Sequence, residues 1–233
     1  MTSGRLYGLG VGPGDPELVT LKALRLLRTA AVVAYPAPET GDSFARQIVA
    51  AWLDRGQREI AIRFPMRPGP VPLAVYQRAA SDLARYLDAG DDVAYLCQGD
   101  PLFYGSFAGI LTGLATRYQV RVVPGVSSLT ACAAAAATPL VQRDETLIVV
   151  PASLPAAALA ARLADIDAAV IIKLGRHFPK LRLVLEQLGL LDGAVYVERA
   201  SLPGERVAAL ATIDPASVPY FATALVHRGG RER

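Results

Sequence analysis

The sequence predicts an α/β protein built as two domains, with a mostly parallel sheet in the first and a mixed sheet in the second. Three observations lead there. Short apolar runs alternate with helical patterns through the first half, which is the signature of strands joined by crossover helices. The alternation continues beyond Pro124–Gly125 but ends in two strand-like runs with no helical pattern between them. Three Gly- and Pro-containing loops each follow an apolar run, so in a parallel sheet they meet at one edge.

The elements follow in order. Leu6–Val11 reads as a strand. Thr20 caps a helix whose apolar positions are Leu21, Leu24 and Leu27. Ala30–Tyr35 is a strand ended by Pro36, and Ser43 caps a helix to about Leu53. Glu59–Phe64 is a third strand. The Pro-rich stretch PMRPGPVP, residues 65–72, connects it to a helix over Leu73–Leu87. Val93–Cys97 is a strand, Phe107–Thr116 a helix and Val120–Val123 a strand. Pro124–Gly125 marks the boundary, giving domains 1–123 and 124–233. The second holds a helix over Leu129–Ala137, with Ala133–Ala137 tightly packed. Strands are expected at Leu147–Val150, Ala169–Leu174 and Ala194–Glu198, with helices near Ala156–Leu163 and Leu181–Leu188. Val207–Leu210 and Tyr220–His227 close the chain as antiparallel strands.

With 233 residues, 52% hydrophobic and 19% charged, the chain can bury a substantial core. Cys97 and Cys132 lie in apolar surroundings, which indicates buried thiols in a reducing cytoplasm. His177 and His227 have no metal-site spacing, and no metal is expected. No leader pattern and no run of roughly 20 apolar residues is present, so no membrane span is expected. The net charge of +3 and pI of about 9.0 fit an acidic small-molecule substrate. The basic residues are dispersed rather than clustered with aromatics, which argues against a nucleic-acid partner.

The loop GLGVGPGDPEL, residues 8–18, invites a dinucleotide reading that fails. A G-x-G-x-x-G pattern begun at Gly8 meets Pro13 at its third glycine, and one begun at Gly10 meets Asp15. Asp15 places negative charge where a pyrophosphate would sit, and the prolines remove backbone donors. A loop this rich in glycine lets backbone approach a ligand, and that ligand is not a phosphate. CQGDPLFYGS (97–106) and PGVSS (124–128) follow later strands and join it. Each alone is an ordinary turn or helix cap; together they mark a site.

These three loops resemble the hallmarks of the tetrapyrrole methylases, S-adenosylmethionine (SAM)-dependent enzymes of two α/β domains with a cleft between them. VIIKLGRHFPK (170–180), YVERASLPGER (196–206) and PYFATALVHRG (219–229) are similar to the precorrin-2 C(20)-methyltransferase branch of cobalamin biosynthesis. FPM (64–66) and DETLIVVPA (144–152) also fit that branch. The resemblance covers essentially the whole chain.

The resemblance implies a set of SAM contacts. They are Pro13; Gly99, Asp100, Leu102, Phe103 and Tyr104; Ser127 and Ser128; and, largely through backbone, Lys173 and Ala200. A polycarboxylate tetrapyrrole is the implied substrate, with Arg67, Arg143, Arg176, His177 and Lys180 as candidate grips and Arg176 favoured. No catalytic base is assigned; Asp100, Tyr104 and His177 are candidates. Asp15 has no assigned role. The implied assembly is a homodimer in the cytoplasm. The same architecture also serves methylases of other tetrapyrrole positions, RNA and protein, and a non-catalytic SAM binder is a third alternative.

Overall fold

A computed structural model describes residues 3–65, 69 and 71–228. The chain divides into two compact units, Met1–Ser127 and Ser128–Arg233, the division falling inside the PGVSS segment. Arg67, Met66 of the FPM motif and the end of the last motif lie outside the described residues.

The first unit contains β1 (Leu6–Gly10), α1 (Leu21–Thr29), β2 (Val32–Pro38), α2 (Phe44–Val49), β3 (Arg58–Phe64), α3 (Leu73–Asp88), β4 (Val93–Cys97), α4 (Phe107–Leu114) and β5 (Val120–Val123). Its five strands pair in parallel in the order β3-β2-β4-β1-β5. Every residue of β1 and β4 is buried, as expected for strands covered on both faces. Alternation divides them. Leu6, Val93, Tyr95 and Cys97 face α3 and α4, whereas Tyr7, Leu9, Ala94 and Leu96 face α1 and α2. Thr20 and Ser43 cap α1 and α2 as expected, accepting from Ala23 N and Arg46 N at 3.2 Å each.

One strand runs further than expected. β2 does not stop at Pro36 but continues to Pro38. Val32 donates its amide toward the β4 side, to Asp92 O, so even-numbered residues of β2 present their nitrogens there. Pairing with β4 covers only Val32 to Ala34, while β3 pairs the full length. Pro36 and Pro38 therefore turn their missing donors to a side that asks for none.

The second unit contains α5 (Ser128–Ala135), β6 (Leu147–Pro151), α6 (Ala156–Leu163), β7 (Ala168–Ile172), α7 (Phe178–Gln187), β8 (Val195–Glu198), β9 (Arg206–Ala209) and β10 (Ala222–His227). Its sheet, β6-β7-β10-β8-β9, is mixed: β6 and β7 are parallel, and the other neighbours are antiparallel. α6 and α7 cover one face through Leu159, Leu163, Phe178 and Leu181. α5 covers the other through Leu129, Ala131 and Cys132, against Val170, Ile172, Val197 and Leu225. The alanine run outlasts its helix. Ala137 takes φ 47, and Thr138 N donates to Ala133 O at 3.0 Å, a Schellman-type end made without glycine.

Phe107 opens α4, is fully buried, and lies 5.5 Å from the Tyr95 ring. A Cβ on Gly8 would stand 2.5 Å from the Phe107 ring, so β1 has no room for a side chain there. Phe107→Ala is expected to cost about 3–5 kcal/mol, measured by urea unfolding.

Candidate functional site

The first unit has a topological switch point. From β1 the chain crosses past β4 to β2 by way of α1; from β4 it crosses past β1 to β5 by way of α4, on the opposite face. The two connections part above adjacent strands, and the carboxyl ends of such a pair are where an open α/β sheet places its ligand crevice. The first two predicted loops leave from there, and the third follows β5 beside β1.

Backbone atoms join these loops. Gly12 and Gly99 form an isolated β-bridge, with Gly99 N donating to Gly12 O at 2.7 Å and Val11 N to Cys97 O at 2.9 Å. Asp100 ties in the third loop: Oδ2 accepts from Gly125 N at 3.1 Å and Oδ1 from Leu102 N at 2.9 Å. A Cβ on Gly125 would stand 2.1 Å from Gly99 O, and one on Gly10 2.4 Å from Gly125 N. The sequence suggests that glycine here admits a ligand. Its first task is to admit the neighbouring loops.

The side chains then sort by role. Asp15 caps the 3-10 turn Pro16–Leu18, its Oδ1 accepting from Glu17 N at 2.8 Å. Asp100, a candidate base, spends both carboxylate oxygens on amides. Pro13 is buried, and Ser127 and Ser128 are half-buried. Leu102, Phe103 and Tyr104 stand exposed at 55%, 36% and 52%, with the two rings edge to face at 4.9 Å. Tyr104 takes φ 53, a left-handed conformation that costs a non-glycine residue on the order of 1–2 kcal/mol. Strain together with exposed apolar surface makes this loop a candidate ligand surface.

In the second unit β6, β7 and β8 point the same way, so their carboxyl ends share an edge with the residues preceding β10. Lys173 follows β7, exposed and left-handed at φ 60. Ala200 follows β8 and is bracketed by Arg199 at φ 51 and Ser201 at φ 64. Ala200 packs in one apolar cluster with Ile172, Leu129 and Cys132. That cluster gathers the surroundings of Ser128, Lys173 and Ala200, which are far apart in sequence. Tyr220 and Phe221 add an exposed aromatic pair, ring centroids 5.2 Å apart, and Phe221 O accepts from Arg199 N at 2.9 Å. Sequence reading used PYF only as a family marker; a paired aromatic between Pro219 and a strand was the available signal.

The basic candidates diverge. Arg176 is exposed in the turn after β7, its Nε donating to His177 Nε2 at 3.5 Å. The His177 imidazole is held below its ordinary value, first by burial and then by Lys180 and Arg176. Lys180 donates its ammonium to Leu154 O, tying α7 to the loop after β6. Arg143 sits in the turn ahead of β6, toward the strand ends opposite Arg176. Arg67 is outside the described residues. Burial pushes both thiols up, Cys132 to about 11, so neither is a nucleophile at neutral pH.

Gly125→Ala forces a methyl group into Gly99 O and is expected to cost at least about 2 kcal/mol. Urea unfolding checks it, and native stability would refute the close approach.

The family model for Tetrapyrrole (Corrin/Porphyrin) Methylases matches residues 5–214. The cobalamin biosynthesis protein CobIJ of Mycobacterium tuberculosis (strain ATCC 25618 / H37Rv) is 47% identical over 99% of this chain. The chain spans about half of that relative's length, 47%. The precorrin-2 C(20)-methyltransferase of Sinorhizobium sp is 41% identical, covering 96% of this chain and 95% of the relative. Among solved structures, uroporphyrin-III C-methyl transferase from Thermus thermophilus, complexed with S-adenyl homocysteine, matches with a TM-score of 0.72 and 28% identity. That match covers 97% of this chain and 98% of the other.

Proposed function

The chain belongs to the tetrapyrrole methylases, and from that membership we propose that it is a SAM-dependent C-methyltransferase acting on the C-20 meso carbon of precorrin-2, or of cobalt-factor II, in cobalamin biosynthesis. The observation that carries this reading is the 41% identity to a precorrin-2 C(20)-methyltransferase along nearly the full length of both chains.

The residues present suit SAM. The segments 8–18, 97–106 and 124–128 contain no lysine or arginine, so these three loops set no cation against a sulfonium. Pro13, Gly99, Asp100, Leu102, Phe103, Tyr104, Ser127, Ser128, Lys173 and Ala200 are the residues proposed to hold the donor. SAM supplies a methyl group already activated on positive sulfur. The meso carbon attacks it in line; the carbon–carbon bond forms, the carbon–sulfur bond breaks, S-adenosylhomocysteine leaves and the meso proton is lost. Orientation at near-attack distance contributes roughly 7–11 kcal/mol in favourable cases. Asp100, held by two amides, serves that orientation rather than proton removal.

Arg176 is the favoured partner for a substrate carboxylate, with His177 beside it. The enzyme works in the cytoplasm as a homodimer. Among the described residues no helix is long and apolar enough to cross a membrane. Light scattering tests the assembly, which should have twice the mass of the 24.6-kDa chain.

The deciding experiment incubates the protein with SAM and either precorrin-2 or cobalt-factor II. A product heavier by one methyl group, with its carbon located by NMR, supports the proposal; SAM binding without transfer, or methylation at another position, overturns it. Arg176→Ala should raise the tetrapyrrole KM about tenfold through loss of a charged hydrogen bond, while SAM affinity stays within about twofold. An unchanged KM would remove Arg176 from the site. The His177 imidazole should titrate below 6.5 by NMR in the free protein. It should move up when the polycarboxylate binds, since neighbouring negative charge favours imidazolium.

A further inference from the structure

The segment from Arg199 to Glu205, between β8 and β9, is folded on itself by hydrogen bonds. Leu202 N donates to Arg199 O at 2.9 Å and Glu205 N to Leu202 O at 3.0 Å. The Glu205 carboxylate accepts from Ser201 N at 2.7 Å, a short charge-assisted bond.

The bond to Ser201 N has a consequence one residue back. The Ser201 N–H and the Ala200 carbonyl belong to one planar trans peptide, in which the two groups point in opposite directions. Whatever grips the N–H therefore aims the carbonyl. Arg199 and Ser201, on either side, are non-glycine residues in left-handed conformations, which L side chains leave unless held. The Ala200 side chain is buried in its cluster and anchors the other end of the unit.

We propose that Glu205 is a positioning residue for nucleoside recognition: by holding the Ser201 amide it aims the Ala200 carbonyl as an acceptor for the exocyclic amino group of the donor's adenine. This rests on the proposed function, in which Ala200 is one of the residues holding SAM, whose adenine carries an amino group that a backbone carbonyl can accept from. The class of ligand selected is an aminopurine nucleoside thioether, in preference to its oxo counterpart. Glu205 itself is exposed and outside the reacting atoms.

The test uses the full chain and isothermal titration with S-adenosylhomocysteine and S-inosylhomocysteine, which carries a carbonyl in place of the amino group. The wild type should prefer the adenosyl compound by about tenfold, the value of one well-placed hydrogen bond to an amino donor. Glu205→Ala should bring that ratio close to one while the melting temperature changes little. Glu205→Gln, whose amide oxygen can still accept from Ser201 N, should keep most of the preference. An unchanged ratio in Glu205→Ala, or equal weakening of both ligands, would overturn the role of Glu205 alone. A wild type that binds neither ligand would overturn the proposed function, and the inference with it. If the alanine variant proves unstable, Glu205→Asp shortens the reach by one methylene and should reduce the ratio in the same direction; retention of the full ratio there counts against the proposal.

Discussion

The first unit's ligand edge depends on a close approach of three backbones. Gly10 ends β1, Gly99 and Gly125 lie in the loops after β4 and β5, and a Cβ on Gly10 would strike Gly125 N while one on Gly125 would strike Gly99 O. Their contact brings the ends of β1, β4 and β5 together and allows the Gly12–Gly99 bridge to close. Asp100 then reaches Gly125 N and fixes the third loop to the second. The exposed Leu102–Phe103–Tyr104 surface is the result. Its backbone is already committed on both sides, so its side chains are presented rather than packed. Preorganisation of this kind suits a transfer reaction in which the donor is already activated and geometry is the protein's main contribution.

The second unit solves the same problem with different means. Its sheet is covered on the α5 face by a cluster in which Leu129 and Cys132 meet Ile172, Val197 and Ala200. Small residues there keep Ala200 and the end of β7 close together. Strain is spent at the edge of this cluster, at Lys173, Arg199 and Ser201, and the surrounding hydrogen bonds hold it in place. Left-handed non-glycine residues cluster where backbone groups must face a particular way, which is the pattern expected of a binding edge.

Positive charge is distributed less evenly than composition suggests. The net excess is small, and part of it is structural. Lys180 is consumed by a carbonyl, Arg46 by Glu59 and Arg63 by the Pro38 and Gly41 carbonyls. Burial, and then its basic neighbours, hold the His177 imidazole below its ordinary value. Arg176 stays exposed on the second unit's candidate edge, together with Lys173 and Arg199, a distinction that charge counting along the sequence does not make.

Much of this protein was legible in its sequence. Alternating apolar runs and helical patterns determined the strands and helices, the Thr20 and Ser43 caps followed from residue type, and the three loops pointed to the family. Local chemistry suffices for these, because period, capping and turn preference act over a few residues. β2 was misjudged because a proline's tolerance depends on whether the neighbouring strand still needs its donor, which is a property of the sheet. Asp15 and Asp100 were ambiguous because a carboxylate's role depends on which amides come within 3 Å of it. Only tertiary structure decided that glycines of three loops serve one another, that Lys180 is spent on a carbonyl, and that Ala200 sits between strained neighbours. Those are contacts between residues far apart in the chain, and no local pattern encodes them.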